Sequence, residues 1–366
     1  MAAGKKIKVL VVDDSAVMRK LIPRLLDADS ELEVIGTAID GDFALNKIEQ
    51  MKPDVITLDV DMPRMDGITA LTEIVSKHRI PTLMLSSLTT RGASLTMKAL
   101  EIGAVDFICK PSASARVEEM AGELIAKIKA AARSKPVTHA APPAMQSQSK
   151  KRAGHQNGFP GAEHIVAIGA SSGGPHALRF LLPRLPADFG AGIVIVQHMP
   201  ESFTSVMARW LDDICEIEVK EASEGDLIAP GRALIAPGNQ HLRVRRSALG
   251  GVAMLQRSSP VNGHMPSVEV LFDSVAREYG KNSTGVILTG MGTDGAEAIG
   301  EIKKSGGLAL AQDRDSCAVF GMPKAAIEKG NIDEIIPLTD LPSKLISAVG
   351  RCGSMEVTHD AEARRA

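Results

Sequence analysis

Two groups of residues in this chain have the types and spacing to do chemistry. The first is acidic: Asp13-Asp14 follow the apolar run V-L-V-V, Asp59 ends V-I-T-L-D, Ser86 ends T-L-M-L-S, and Lys110 follows F-I-C. Carboxylates gathered at one point repel one another unless a hard cation neutralises them, and magnesium accepts oxygen donors while keeping positions open for water or phosphate. Lys110 is a point charge able to reach the same crevice, and Ser86 offers a hydroxyl to a phosphoryl oxygen. The second group is Ser171 in I-G-A-S-S-G-G, His198 in V-I-V-Q-H-M-P and Asp294 in L-T-G-M-G-T-D-G-A. Serine, histidine and a carboxylate are the parts of acyl transfer through a serine ester, whatever their order along the chain. The glycine-rich turn around Ser171 would let a substrate carbonyl approach closely, with backbone N–H donors from a following helix. A phosphate-binding glycine loop is the competing reading of that turn, although the P-loop lysine and glycine spacing are missing. Taken singly, Asp13-Asp14 could cap a helix, Asp59 could merely end a strand, and His198 could be structural; the conjunctions are what point to chemistry.

The elements that must position these residues can be read from periodicity. Short β-branched runs at Lys8–Val12, Glu33–Ala38, Val55–Asp59, Thr82–Ser86 and Asp106–Cys109 alternate with helical stretches. These are Ser15–Leu26, Asp42–Gln50, Ile68–Lys77, Ala93–Ile102 and Ala115–Ala132. Continuously apolar strands with helices between them predict a parallel sheet covered on both faces. Ser15 is an N-cap candidate, and Pro23 should kink the first helix. A second α/β block starts near His164, with strands at Ile165–Ile168, Ile193–Gln197, Ala233–Ala236, Val286–Leu288 and Leu308–Ala311. Its helices fall at Pro175–Leu182, Ser202–Leu211, Ser267–Glu278, Ala296–Lys304 and Leu341–Val349, and Glu218–Gln256 reads as a β-hairpin insertion. In both blocks the chemical residues stand at strand carboxyl ends, where open α/β sheets form their ligand crevice. The fold class is thus α/β, two doubly wound parallel-sheet domains: residues 5–124, a linker at 125–160, a second domain at 161–352 and a tail at 353–366. The linker, rich in Pro, Ser, Gln and Ala, cannot bury enough surface to fold alone and would tether one domain over the other. Its Lys150-Lys151-Arg152 run reads as a solvated stretch.

Composition bounds the rest. The chain has 366 residues, 44% hydrophobic and 23% charged, with a formal net charge of −2. That balance supplies no basic footprint for nucleic acid or anionic lipid, and aromatics at 3% leave little for stacking on bases. Cys109, Cys215, Cys317 and Cys352 form no Cys-x-x-Cys pair, so reduced thiols and a cytoplasmic location are expected. The amino-terminal apolar run is too short for a signal peptide, and no stretch reaches membrane-spanning length, so no membrane insertion is expected.

The motifs V-V-D-D-S-A-V-M-R, L-D-V-D-M-P-R-M-D-G and K-P resemble the receiver domain of bacterial response regulators, a flavodoxin-like fold. The nucleophile motifs, with N-G-H-M-P-S-V-E-V-L-F at 262–272, resemble the Rossmann-like catalytic domain of the chemotaxis protein-glutamate methylesterases, which carry a receiver in front. The resemblance implies that Asp59 accepts a phosphoryl group from a chemotaxis histidine kinase, with Asp13, Asp14, Asp59 and the Asp61 carbonyl around Mg2+, and Ser86 and Lys110 as switch residues. It implies Ser171, His198 and Asp294 as the triad hydrolysing glutamate γ-methyl esters of methyl-accepting chemotaxis receptors, and receptor glutamine amides as second substrates, with no cofactor for that step. Backbone N–H groups of Ser172 and Met291 are the oxyanion-hole candidates. The family pattern carries a basic residue where this chain has Met265. A hydrolase of small soluble esters remains a competing reading, and a DNA-binding output lacks any helix-turn-helix or basic domain.

Overall fold

A computed structural model describes residues 5–110, 117–133, 162–247 and 250–354. Pro111, the Lys150–Arg152 run, most of the linker and residues 355–366 lie outside the described residues. The chain divides into two compact units, 1–146 and 147–366.

The first unit runs β1 (Ile7–Val12), α1 (Ala16–Leu26), β2 (Leu32–Ala38), α2 (Gly41–Met51), β3 (Val55–Asp59), α3 (Gly67–Glu73), β4 (Thr82–Ser86), α4 (Thr90–Ile102), β5 (Asp106–Cys109) and α5 (Val117–Arg133). Its parallel sheet has the order β2-β1-β3-β4-β5. Every residue of β3 and β4 is buried, which explains why both read as unbroken apolar runs. Ser15 caps α1, its hydroxyl accepting the Met18 N–H at 3.5 Å, and the helix continues through Pro23 to Leu26. α5 extends past residue 124, the bound given above to the first domain, and ends close to the helical period read over Ala115–Ala132. The reason is an apolar stripe, Met120, Leu124, Ile128 and Ala131, buried in one core with Val9, Val11 and Leu85.

The second unit runs β6 (Ile165–Ala170), α6 (Gly174–Leu181), β7 (Gly192–Gln197), α7 (Glu201–Asp212), β8 (Glu218–Glu221), β9 (Leu227–Ile228), β10 (Arg232–Ile235), β11 (His241–Ser247), β12 (Gly250–Gln256), α8 (Val268–Tyr279), β13 (Ser283–Ile287), α9 (Ala298–Lys304), β14 (Leu308–Gln312), α10 (Met322–Glu328), β15 (Glu334–Ile336) and α11 (Leu341–Ser354). Seven parallel strands form one sheet in the order β15-β14-β13-β6-β7-β10-β8. The expected hairpin insertion is smaller than Glu218–Gln256. β8 and β10 belong to the main sheet, while β11 and β12 pair antiparallel and β9 adds a third strand. The core beside the sheet gathers Val194, Val196, Leu271, Phe272 and Ile299. No helix among the described residues is long and apolar enough to cross a membrane.

Both sheets reverse their strand order beside their first strand. β1 lies between β2 and β3, and β6 lies between β13 and β7. Loops leaving strands on the two sides of such a switch point diverge, and the crevice they open is where side chains from different strands can meet.

Candidate active site and phosphoacceptor pocket

In the first unit, Asp13 and Asp14 leave β1 and Asp59 ends the neighbouring β3, so three carboxylates meet at the switch point, with ligand oxygens all within 4.8 Å of one another. Lys110, following β5, reaches across to both buried members, its Nζ 2.7 Å from Asp59 and 2.9 Å from Asp13. Burial pushes the Asp59 carboxyl up to about 6 against the opposing pull of Lys110, and burial likewise raises Asp13. One ammonium opposite three carboxylates leaves the pocket short of positive charge, and the donors are all hard oxygens, so the residues fit a magnesium ion. Asp61 donates its backbone N–H to Asp59, while its side chain faces solvent near Arg91 at 3.5 Å. Ser86 is buried at the end of β4, and its hydroxyl accepts a hydrogen bond from Thr96 at 2.8 Å. Gly67 is required by close approach, since a Cβ there would stand 2.0 Å from the Asp59 carbonyl oxygen.

In the second unit, β6 and β7 run in register with Ala170 opposite Gln197, and the His198 N–H extends the ladder to the Ala170 carbonyl at 3.0 Å. Ser171 and His198 therefore leave adjacent strands side by side. On the other flank of β6, the Ser171 N–H donates to the Thr289 carbonyl at 3.1 Å, tying the serine to the loop that carries Asp294. His198 donates its Nε2 hydrogen to Asp294 Oδ2 at 2.8 Å. That bond leaves Nδ1 as the nitrogen turned away from Asp294, and Nδ1 is buried without a hydrogen-bond partner. The Ser171 hydroxyl also has no partner among the described residues, and neither do the N–H groups of Ser172 and Met291.

Asp294 is the most constrained member. It is 1% exposed and accepts hydrogen bonds from the Ser267 hydroxyl (2.8 Å), the Asn262 amide (3.0 Å) and the Val268 N–H (2.7 Å). Ser267 precedes α8 but does not cap it; the Asp294 carboxylate takes the helix's first N–H groups instead. Burial alone would raise the Asp294 carboxyl, but His198, Asn262 and Ser267 together bring it down to about 2. It is a fixed anion. His264 stacks on His198, with ring centroids 3.8 Å apart and planes 11° from parallel. Asn262, His264 and Ser267 are not singled out by residue chemistry alone; their signal was the run N-G-H-M-P-S, polar residues packed before a helix start.

A family model described as CheB methylesterase matches residues 166–345, and one described as response regulator receiver domain matches 9–121. A protein-glutamate methylesterase/protein-glutamine glutaminase of Koribacter versatilis is 50% identical over 362 residues, covering 96% of this chain and 99% of that protein. The chain belongs to this methylesterase family. A relative from Pyrococcus horikoshii bearing the same description is 44% identical over 348 residues, 94% of each chain. The solved catalytic domain of Thermotoga maritima CheB methylesterase is 42% identical and covers 50% of this chain and 97% of its own, with a TM-score of 0.49. The two family matches place a response regulator receiver domain and a CheB methylesterase domain on one chain.

Proposed function

We propose that this chain hydrolyses glutamate γ-methyl esters on methyl-accepting chemotaxis receptors, and the primary amides of receptor glutamines, under the control of phosphorylation at Asp59. The observation that carries the reading is the His198–Asp294 pair, which leaves His198 Nδ1 without a hydrogen-bond partner at the end of the strand next to the one that leads into Ser171. Ser171 attacks the ester carbonyl as His198 Nδ1 takes the hydroxyl proton, and the fixed Asp294 anion stabilises the resulting imidazolium. The oxyanion is received by the N–H groups of Ser172 and Met291. His198 returns its proton to the departing methoxide, releasing methanol; a water that gives its proton to His198 then attacks the acyl-serine, regenerating Ser171 and a free glutamate. An amide substrate follows the same course with ammonia as the leaving group.

In the receiver, Asp13, Asp14, Asp59 and the Asp61 carbonyl would hold Mg2+, which when bound neutralises charge on the incoming phosphoryl oxygens. Lys110 and Ser86 engage the phosphoryl group on Asp59, drawing on a lysine already in contact with that carboxylate. The donor is the chemotaxis histidine kinase and the working location is the cytoplasm.

The test is methanol release from methylated receptor membranes set against hydrolysis of small soluble methyl esters. Wild-type chain is expected to turn over the receptor membranes, and Ser171→Ala to fall to background. Turnover confined to the soluble esters would favour a small-ester hydrolase instead.

A further inference from the structure

Gln197 ends β7 directly before His198, and its carboxamide is buried with 2% exposure. Its Nε2 hydrogens go to two backbone carbonyls, Ser171 at 2.8 Å and His198 at 3.2 Å. Those two acceptors settle the orientation of the amide, because the flipped form would face oxygen against both carbonyls. The Oε1 atom is left buried with no hydrogen-bond partner, against the backbone of Gly174, where a Cβ would stand only 1.9 Å away. An orphaned buried acceptor costs about 1–3 kcal/mol, a penalty that an apolar side chain of similar length would avoid. The two donated bonds contribute about 0.5–1.5 kcal/mol each, so the terms roughly cancel and stability alone does not account for an amide at this position.

Geometry does. In a trans peptide unit the C=O and N–H point in opposite directions. The Ser171 carbonyl accepts from both Gln197 Nε2 and the Gly174 N–H, the latter at 2.8 Å, so the Ser172 N–H of the same unit is driven to the other side. The Ser172 carbonyl is held in turn by the Thr289 hydroxyl at 2.9 Å. The same Gln197 amide holds the His198 carbonyl, spanning the serine-bearing and histidine-bearing turns just beyond the point where the β6–β7 ladder ends.

We propose that Gln197 is a positioning residue: its carboxamide fixes the Ser171–Ser172 peptide plane so that the Ser172 N–H faces the developing oxyanion, and it sets the spacing between nucleophile and base. This rests on Ser171 as nucleophile and the Ser172 N–H as an oxyanion donor. The effect lies in the transition state, so substitution should lower kcat and leave KM nearly unchanged.

The experiment uses full-length chain on methylated receptor membranes, with Gln197→Met, which keeps length but has no hydrogens to give, and Gln197→Glu, which keeps shape but has at most one. Both are expected to lose kcat about 10- to 100-fold, with KM within about twofold and the thermal midpoint of the second unit preserved. A loss that only tracks the folded fraction, or falls on KM, would make Gln197 a structural residue and overturn the proposal, as would a folded variant of either kind with kcat within about twofold of wild type. Ser171→Ala is run alongside. If it retains turnover, the site reading fails and this inference with it; if it is inactive while Gln197→Met turns over fully, this inference alone fails.

Discussion

At the scale of single residues, the account turns on Asp294. Its carboxylate answers five donors, from His198, Asn262, Ser267, Val268 and Glu269, and an amide has one acceptor oxygen with which to replace it. Asp294→Asn is therefore expected to turn an NH2 group toward donors, release the His198 ring from its tautomer and lower kcat by at least about 100-fold. The same change leaves the start of α8 partly unsatisfied and should cost about 1–2 kcal/mol, read as a shift in the urea midpoint. A variant that keeps kcat within a few-fold would remove Asp294 from the mechanism. The residues holding Asp294 were harder to read than Asp294 itself. Asn262 and Ser267 are ordinary loop and helix-start residues until the fold brings a carboxylate from 27 residues beyond Ser267 onto them.

At the scale of elements, β6 leads into the turn that holds Ser171, the proposed nucleophile, and His164 immediately precedes the strand. Burial lowers the His164 imidazole from an ordinary 6.5 to about 4, while its Nε2 keeps a 3.0 Å hydrogen bond with the Thr284 hydroxyl on the adjoining strand β13. Between those two values the unfolded chain binds the proton that the folded chain refuses. Stability from this group is complete above pH 6.5 and is lost progressively as pH falls toward 4, by up to ~3 kcal/mol. His164→Gln is expected to flatten the denaturant midpoint across pH 6.5 to 4 relative to wild type; parallel profiles would contradict this. Elements such as β3, β4, β6 and β7 were legible because strands buried on both faces are unbroken apolar runs. β8 was not, because E-V-K-E on the sheet edge buries only Val219, and a half-solvated edge keeps polar residues that blur the pattern. β15, with two of its three residues exposed, escaped for the same reason.

At the scale of the whole molecule, Asp59 and Ser171 lie in different compact units, so the proposed phosphorylation would act in one and the proposed turnover would be read in the other. The carboxylate–lysine cluster of the first unit was the most legible part of the chain, since Asp13, Asp14, Asp59 and Lys110 each end or directly follow a strand and the parallel sheet does the rest. A charge switch in one unit alters output in another only through a difference in free energy between two states of the chain, and a few kcal/mol is enough to move most of a population. The most direct test is methanol release by the full-length chain from methylated receptor membranes, with and without a small acyl phosphate. Wild type should be accelerated by the phosphodonor, Asp59→Asn should keep its basal rate without acceleration, and Ser171→Ala should be silent in both conditions. Acceleration of Asp59→Asn equal to that of wild type, or turnover by Ser171→Ala, would contradict the account.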